Sequence, residues 1–205
     1  MRGFLSAIMD GTIPPEGRDK YLQIVLGESE RLTKLANDIL DINKIQSLEI
    51  ELAKSVFDVN ELIRKTVIMF EPRITGKRIA LDLAFADERN MVLADEEKIQ
   101  RVVYNLLDNA VKFTGADGHI QVETLTQSGK VLVCVRDDGK GIGADDQKHI
   151  FDRFYKADAS RGEDKHGSGL GLSIVRAFVK AHGETIALSS EQGKGCAFTF
   201  SLAEA

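Results

Sequence analysis

The sequence predicts an α/β two-layer sandwich, with a mixed, largely antiparallel sheet and helices on one face, preceded by a partial helical hairpin. Three observations carry this. Proline-free stretches at 18–46 and 95–113 repeat apolar residues at helical spacing. Short runs alternating with period two recur between Ile120 and Leu202. The residues between those runs, Gln127-Ser-Gly129 and Glu191-Gln-Gly-Lys-Gly195, have the chemistry of tight strand reversals.

Taken in order, Met1 to Asp10 reads as the tail of an amphipathic helix entered halfway, which predicts a chain cut from a longer protein. Gly11-Thr-Ile-Pro-Pro15 breaks that helix, because two prolines withhold donors and push the residues before them out of helical backbone. From about Arg18 to Gln46, Leu22, Val25, Leu32, Leu35, Ala36, Ile39 and Ile42 recur at helical spacing. At 1.5 Å per residue this helix is roughly 40 to 45 Å long. So long a one-sided helix cannot bury its stripe against a fragment of a partner. It points to a bundle, most economically a homodimer, with packing on its own globular domain as the alternative.

Leu48-Glu-Ile-Glu-Leu-Ala53 alternates like a strand, and Asp58 is placed to cap a helix running to about Glu71 and stopped by Pro72. Arg78 to Leu83 and Met91 to Ala94 read as short strands, and Asp95 caps a helix continuing to Phe113. Ile120 to Thr126 and Lys130 to Arg136 form a hairpin that delivers Asp137 at its end. A polar, glycine-bearing segment from Lys156 to Gly167 precedes a helix from about Leu170 to His182. Strands from Thr185 to Ser190 and Cys196 to Leu202 close the chain.

With 205 residues and 43% hydrophobic content, one compact domain at 47–205 plus an appendage at 1–46 is the expected organisation. The net charge of -5, with both signs interspersed and no basic stripe, argues against nucleic-acid binding. No stretch approaches the ~18 to 20 apolar residues of a membrane span, and no signal peptide opens the chain, so no membrane contact is expected of this segment. Cys134 and Cys196 sit in alternating apolar runs without metal-ligand spacing or CxxC, which reads as small buried residues in a reducing, cytoplasmic compartment.

Three clusters carry chemistry. Asn105, Asn109 and Lys112, four and three apart, share one face of a predicted helix; two amides and an ammonium suit a hydrated magnesium ion and the phosphates it bridges. A solvated helix face is the plain alternative. Asp137-Asp-Gly139-Lys-Gly141-Ile142-Gly143 places a carboxylate at a strand end, able to accept from an exocyclic amino group, followed by glycines that let backbone approach a planar base. Here the plain alternative is an Asp- and Gly-rich turn. Gly167-Ser168-Gly169-Leu170-Gly171 opens a helix whose bare N–H groups can hold phosphate oxygens, or is simply a helix start. It is neither a Walker A loop, since no Gly-Lys-Ser/Thr ends it, nor a Rossmann fingerprint, since Leu172 stands where a third glycine belongs.

Ile150-Phe-Asp-Arg-Phe-Tyr155 supplies aromatics that can anchor a lid at 156–166, besides packing in the core. His119, His149, His166 and His182 lie in separate contexts and read as non-catalytic; no catalytic side chain is assigned.

The motifs Asn-x-x-x-Asn-Ala-x-Lys-Phe, Asp-x-Gly-x-Gly-Ile, Ile-Phe-x-Arg-Phe-Tyr, Gly-Ser-Gly-Leu-Gly-Leu-Ser-Ile-Val and Gly-x-Gly follow one another here. With them the chain resembles, over roughly residues 47 to 203, the ATP-binding catalytic domain of sensor histidine kinases. That domain belongs to the wider gyrase, heat-shock-90, histidine-kinase and mismatch-repair ATPase superfamily. The resemblance implies a Bergerat-type fold with ATP and Mg2+ as ligands. It implies that Asn109 ligates the metal, that Asn105 and Lys112 lie beside the phosphates, and that Phe113 lies against the adenine. Asp137 would accept the adenine amino group, and Gly139, Gly141, Ile142 and Gly143 would line the base. Tyr155 would flank the lid, while Gly167, Ser168, Gly169, Leu170, Gly171 and Leu172 would close on the phosphates.

Residues 1–46 resemble the dimerisation and histidine-phosphotransfer hairpin, with Tyr21-Leu-x-Ile-Val-x-x-Glu-Ser-Glu-Arg-Leu32 a second-helix pattern. No histidine precedes His119, so the phosphoacceptor and its neighbouring acid are missing and no autophosphorylation at the usual site is expected. Glu184 and Cys196 also depart from the family's usual glycine and threonine. Hydrolases of the superfamily place glutamate at the position of Asn105; an amide cannot serve as that general base, so fast hydrolysis is not expected. The implied function is the catalytic fragment of a kinase that transfers the γ-phosphoryl group of ATP to a histidine for relay to a response-regulator aspartate. The implied partners are that regulator and a second copy of the full-length protein, and a membrane anchor elsewhere in that protein is left open. A degenerate ATP-binding docking module is the alternative, and a serine kinase of the same superfamily ranks last.

Overall fold

A computed structural model describes residues 2–46, 50–157 and 168–205. The chain divides into two compact units, Met1–Gln46 and Ser47–Ala205. In the first, α1 (Arg2–Met9) and α2 (Pro15–Gln46) are joined by a turn in which Gly11 has a φ of 79° and Asp10 Oδ1 accepts the Thr12 N–H at 2.9 Å. Pro15 opens α2, where its missing N–H would have had no helical partner. Phe4 packs on Tyr21 with ring centroids 5.4 Å apart, but Leu22, Leu26, Leu32, Ile39 and Leu40 of α2 remain exposed.

The second unit opens with β1 (Ser55–Asp58), paired antiparallel with β3 (Met91–Ala94) in a two-stranded ribbon. The strand predicted over Leu48–Ala53 does not form in its described part, residues 50–53. Residues 47–49 lie outside the described ones, 50–54 have no regular structure, and the Ala53 N–H donates to Asp95 Oδ2 at 3.0 Å instead of to a strand partner. Asp58 caps α3 (Val59–Ile68) as expected, accepting the Asn60 N–H at 3.0 Å. Pro72, however, does not stop that helix; it sits in the first turn of a separate α4 (Glu71–Lys77), where proline costs no hydrogen bond.

The main sheet runs β2-β4-β5-β7-β6, with β2 (Ala80–Phe85) parallel to β4 (His119–Gln127). The remaining pairs, formed with β5 (Lys130–Asp137), β6 (Ile186–Ser190) and β7 (Cys196–Ala203), are antiparallel. The β4–β5 hairpin turns through Ser128 and Gly129, both at positive φ, as a two-residue reversal demands. On one face of the sheet Val122, Val133 and Phe200 are fully buried, beside the equally buried Val103 and Leu107 of α5 (Glu96–Phe113) and Ile174 and Val179 of α7 (Gly171–Ala181). A short α6 (Ala144–Gln147) follows the β5 loop.

A buried polar cluster fixes the ribbon side. Thr124 Oγ1 donates to Asn60 Oδ1 at 2.9 Å, and Asn90 Nδ2 donates to Thr124 Oγ1 at 3.0 Å. The two thiols are free and half-buried, not fully buried as expected: Cys134 lies opposite Glu123 and Thr199, and Cys196 opens an outgoing strand. No helix among the described residues is long and apolar enough to cross a membrane.

Candidate functional site

Helix α5 is the wall around which the predicted clusters assemble, and it is pinned at both ends. At its start, Asp95 Oδ1 accepts the Lys98 N–H at 3.1 Å, satisfying one of the donors a helix N-terminus leaves open. Burial favours the neutral form of Asp95, but the N–H groups of Lys98 and Ala53 and the Lys98 ammonium outweigh it and hold the carboxyl below its usual range. At the other end, Lys77 Nζ donates to the carbonyls of Val111, Lys112 and Thr114 at 2.8, 3.0 and 2.9 Å, completing acceptors that the last turn leaves open.

Of the three polar residues read on this helix, Asn105 is buried at 2% exposure, whereas Asn109 and Lys112 are half-buried. The Nδ2 of Asn105 has no hydrogen-bond partner among the described residues. A buried amide in that state costs about 1 to 3 kcal/mol and is a vacant donor. Phe113, also half-buried, has the Lys112 ammonium 5.0 Å and the Lys140 ammonium 4.6 Å from its ring centroid.

Asp137 ends β5 at 7% exposure. Its Oδ1 accepts the Gly139 N–H at 2.9 Å. Burial pushes its carboxyl up to about 6, against the lowering effect of the Gly139 and Cys196 N–H groups. Past it the chain needs glycine. A Cβ on Gly139 would come 2.6 Å from the Phe113 carbonyl oxygen, and one on Gly141, at a φ of 65°, would collide with the carbonyl of Glu191. Ile142 and Gly143 are half-buried, Gly143 standing just before α6.

In the third cluster, Gly167 lies outside the described residues, as does most of the predicted lid. Ser168 Oγ accepts the Leu170 N–H at 3.3 Å. Gly169, at a φ of 71°, abuts the backbone of Phe154, whose N–H donates to the Gly169 carbonyl at 2.9 Å. Leu170 is buried, Leu172 half-buried, and α7 starts at Gly171 with no side chain among the described residues capping its N-terminus. A Cβ on Gly171 would lie 3.4 Å from Asn105 Oδ1. Tyr155 turns to α6, its hydroxyl donating to Asp146 Oδ1 at 2.6 Å.

The structure therefore brings Asn105 to Gly171, and Phe113 to Gly139 beside Asp137. Sequence reasoning missed Lys140 on the Phe113 ring and Lys77 under the helix end. Neither carries a local signal, because each partner lies on a distant segment.

Residues 94–205 match the family described as histidine kinase-, DNA gyrase B-, and HSP90-like ATPase. The chain belongs to that family. Among its relatives, the sensor protein SrrB of Staphylococcus aureus is 31% identical over 204 residues, covering 98% of this chain but 35% of that protein. The chain thus spans about a third of the length of the curated relatives it matches. Among solved structures, the nucleotide-free catalytic domain of histidine kinase ThkA superposes with a TM-score of 0.66 at 31% identity, over 74% of this chain and 95% of that one. Full-length ShkA in complex with AMPPNP gives 0.79 at 27% identity, over 98% and 42%. ThkA in complex with the response regulator TrrA gives 0.71 at 28%, over 99% and 56%. Within the family, this HATPase chain carries the ATP-binding domain of a sensor histidine kinase on a Bergerat-type fold. A degenerate docking module is not favoured.

Proposed function

We propose that residues 47–205 bind ATP with Mg2+ between α5, the Asp137–Gly143 loop and the start of α7, and transfer the γ-phosphoryl group to a histidine for relay to a response-regulator aspartate. The observation that carries this is the convergence of the two glycine clusters on one helix, Gly139 against Phe113 and Gly171 against Asn105. In this reading the Asp137 carboxylate accepts the adenine amino group, and Gly139, Gly141, Ile142 and Gly143 give the base a backbone wall. Phe113 packs against the base. Gly167, Ser168, Gly169, Leu170 and Leu172 close on the phosphates with the uncapped N-terminus of α7 at Gly171, and Tyr155 braces the lid.

The residues fit such a ligand. The vacant Nδ2 of Asn105 gains an acceptor, and the Lys112 ammonium offers a point charge to the phosphates. Mg2+ would be held by the amide oxygen of Asn109 and the phosphates, and would neutralise charge developing on the transferred group. Amide donors suit that ion, which keeps most of its waters. Catalysis here is positioning and electrostatics, with the acceptor imidazole as the nucleophile. Residues 1–46 hold no histidine, so this chain is expected not to phosphorylate itself at the family's usual site. We assign that unit to a partial dimerisation hairpin, its exposed Leu22, Leu26 and Ile39 forming part of a homodimer seam. The ThkA–TrrA complex supports a response regulator as partner, and two free thiols suit a cytoplasmic setting.

The test is a calorimetric titration of ATP with and without Mg2+ into the wild type and Asp137→Ala. Magnesium-dependent binding that the substitution abolishes is the expected result. A folded wild type that binds no ATP overturns the reading.

A further inference from the structure

The Asp137–Gly143 loop is held from behind by two side chains that no motif includes. Ser190, the last residue of β6, accepts the Ile142 N–H on its Oγ at 2.9 Å and donates the same hydroxyl to the Gly195 carbonyl at 2.7 Å. Gln147, at the end of α6, donates its Nε2 to the Ile142 carbonyl at 2.8 Å and to the Ser190 carbonyl at 2.9 Å. Both backbone polar groups of Ile142 are therefore satisfied by side chains, one from each flanking element. The β6–β7 turn adds a backbone bond, Gly193 N–H to the Lys140 carbonyl at 2.7 Å. On this side the fit is close, since a Cβ on Gly141 would strike Glu191 and one on Gly195 would strike Asp137.

From this we infer that Ser190 and Gln147 are positioning residues for nucleotide binding: they clasp Ile142 and so set the height of the Gly139–Gly143 backbone against the base. The inference rests on the nucleotide reading above. A loop rich in glycine has no conformation of its own and loses more entropy on ordering than any other sequence. The clasp meets that cost during folding, so it need not be met when ligand binds. Ser190 can serve both ways because its hydroxyl donates once and accepts twice. The Cys196 Sγ, 3.3 Å from that oxygen, occupies the remaining acceptor side without displacing the Ile142 N–H.

ATP affinity by calorimetry, amide exchange at Ile142 and thermal stability are measured for the wild type, Ser190→Ala, Ser190→Thr and Gln147→Met. Removing the Oγ leaves the Ile142 N–H without its acceptor; the expected result is a Kd for ATP raised about tenfold, with faster exchange at Ile142. Ser190→Thr, which keeps the oxygen, restores both. A folded Ser190→Ala with wild-type affinity overturns the inference, as does a loss that threonine fails to rescue. Should Ser190→Ala not fold, Gln147→Met at its half-buried position carries the same test, and unchanged affinity there overturns it. A wild type that binds no ATP removes the nucleotide reading together with this one, whereas a wild type that binds as well as its variants removes the clasp alone.

Discussion

The Nε2 of His182 accepts the backbone N–H of Asp95 at 3.0 Å across 87 positions of sequence, while Nδ1 faces the Phe178 carbonyl at 2.7 Å. The pair fixes the tautomer, with the proton on Nδ1. It also joins the C-terminal end of α7 to the N-cap of α5, the two helices on which Gly171 and Asn105 meet. His182→Ala leaves the buried Asp95 N–H without its acceptor and opens a cavity, while the Phe178 carbonyl keeps the backbone N–H of residue 182 at 3.2 Å. The expected loss is about 2 to 4 kcal/mol, read from urea unfolding midpoints at constant m-value.

The raised carboxyl of Asp137 makes a signed pH prediction. Burial lifts it from 3.8 to about 6, so the folded protein holds this proton more tightly than the unfolded chain. Its stabilising contribution is complete below pH 3.8 and is lost as pH rises through about 6. In Asp137→Asn that fall disappears; at about 1.4 kcal/mol per pH unit, the stabilities of the two proteins diverge by roughly 2 to 3 kcal/mol across the window. ATP affinity moves the opposite way. A carboxylate is the stronger acceptor, so wild-type binding tightens as pH rises through about 6. Comparison with Asp137→Asn cancels the titration of the ligand's own phosphates, and calorimetry at several pH values reads both effects.

Asn105 separates stability from function. Its Nδ2 is buried without a partner among the described residues, so replacing the amide with an apolar group of similar shape removes a desolvation cost. Asn105→Leu is expected to leave the free protein as stable as the wild type, or up to about 1 kcal/mol more stable, by thermal unfolding. Its affinity for Mg2+-ATP is expected to fall at least about tenfold, by calorimetry.

Much of this was legible in the chain. The α5 pattern, with Asp95 before it and Phe113 at its end, is local information: a cap, a helical period and no proline. The β4–β5 hairpin and the Asp137 and Gly171 clusters follow equally from turn chemistry and glycine placement. The errors share one cause. Leu48–Ala53 alternates like a strand, but its Ala53 N–H is taken by Asp95, 42 positions away. Pro72 forbids an interior helical position but not the first turn of a new helix, and the break between the two helices falls at Phe70, buried against Tyr104 on a distant segment.

The sequence by itself determined the fold class, the order of elements and the residue types of the site, because periodicity, capping and backbone freedom act within a few residues. Only the tertiary structure decided that Asn105 is buried against Gly171, that His182 meets Asp95, and that Ser190 and Gln147 share Ile142. Each of those joins segments on different elements. A hydrogen-bonding group finds its partner by where the sheet and helices place it, and neighbouring residues carry no record of that choice.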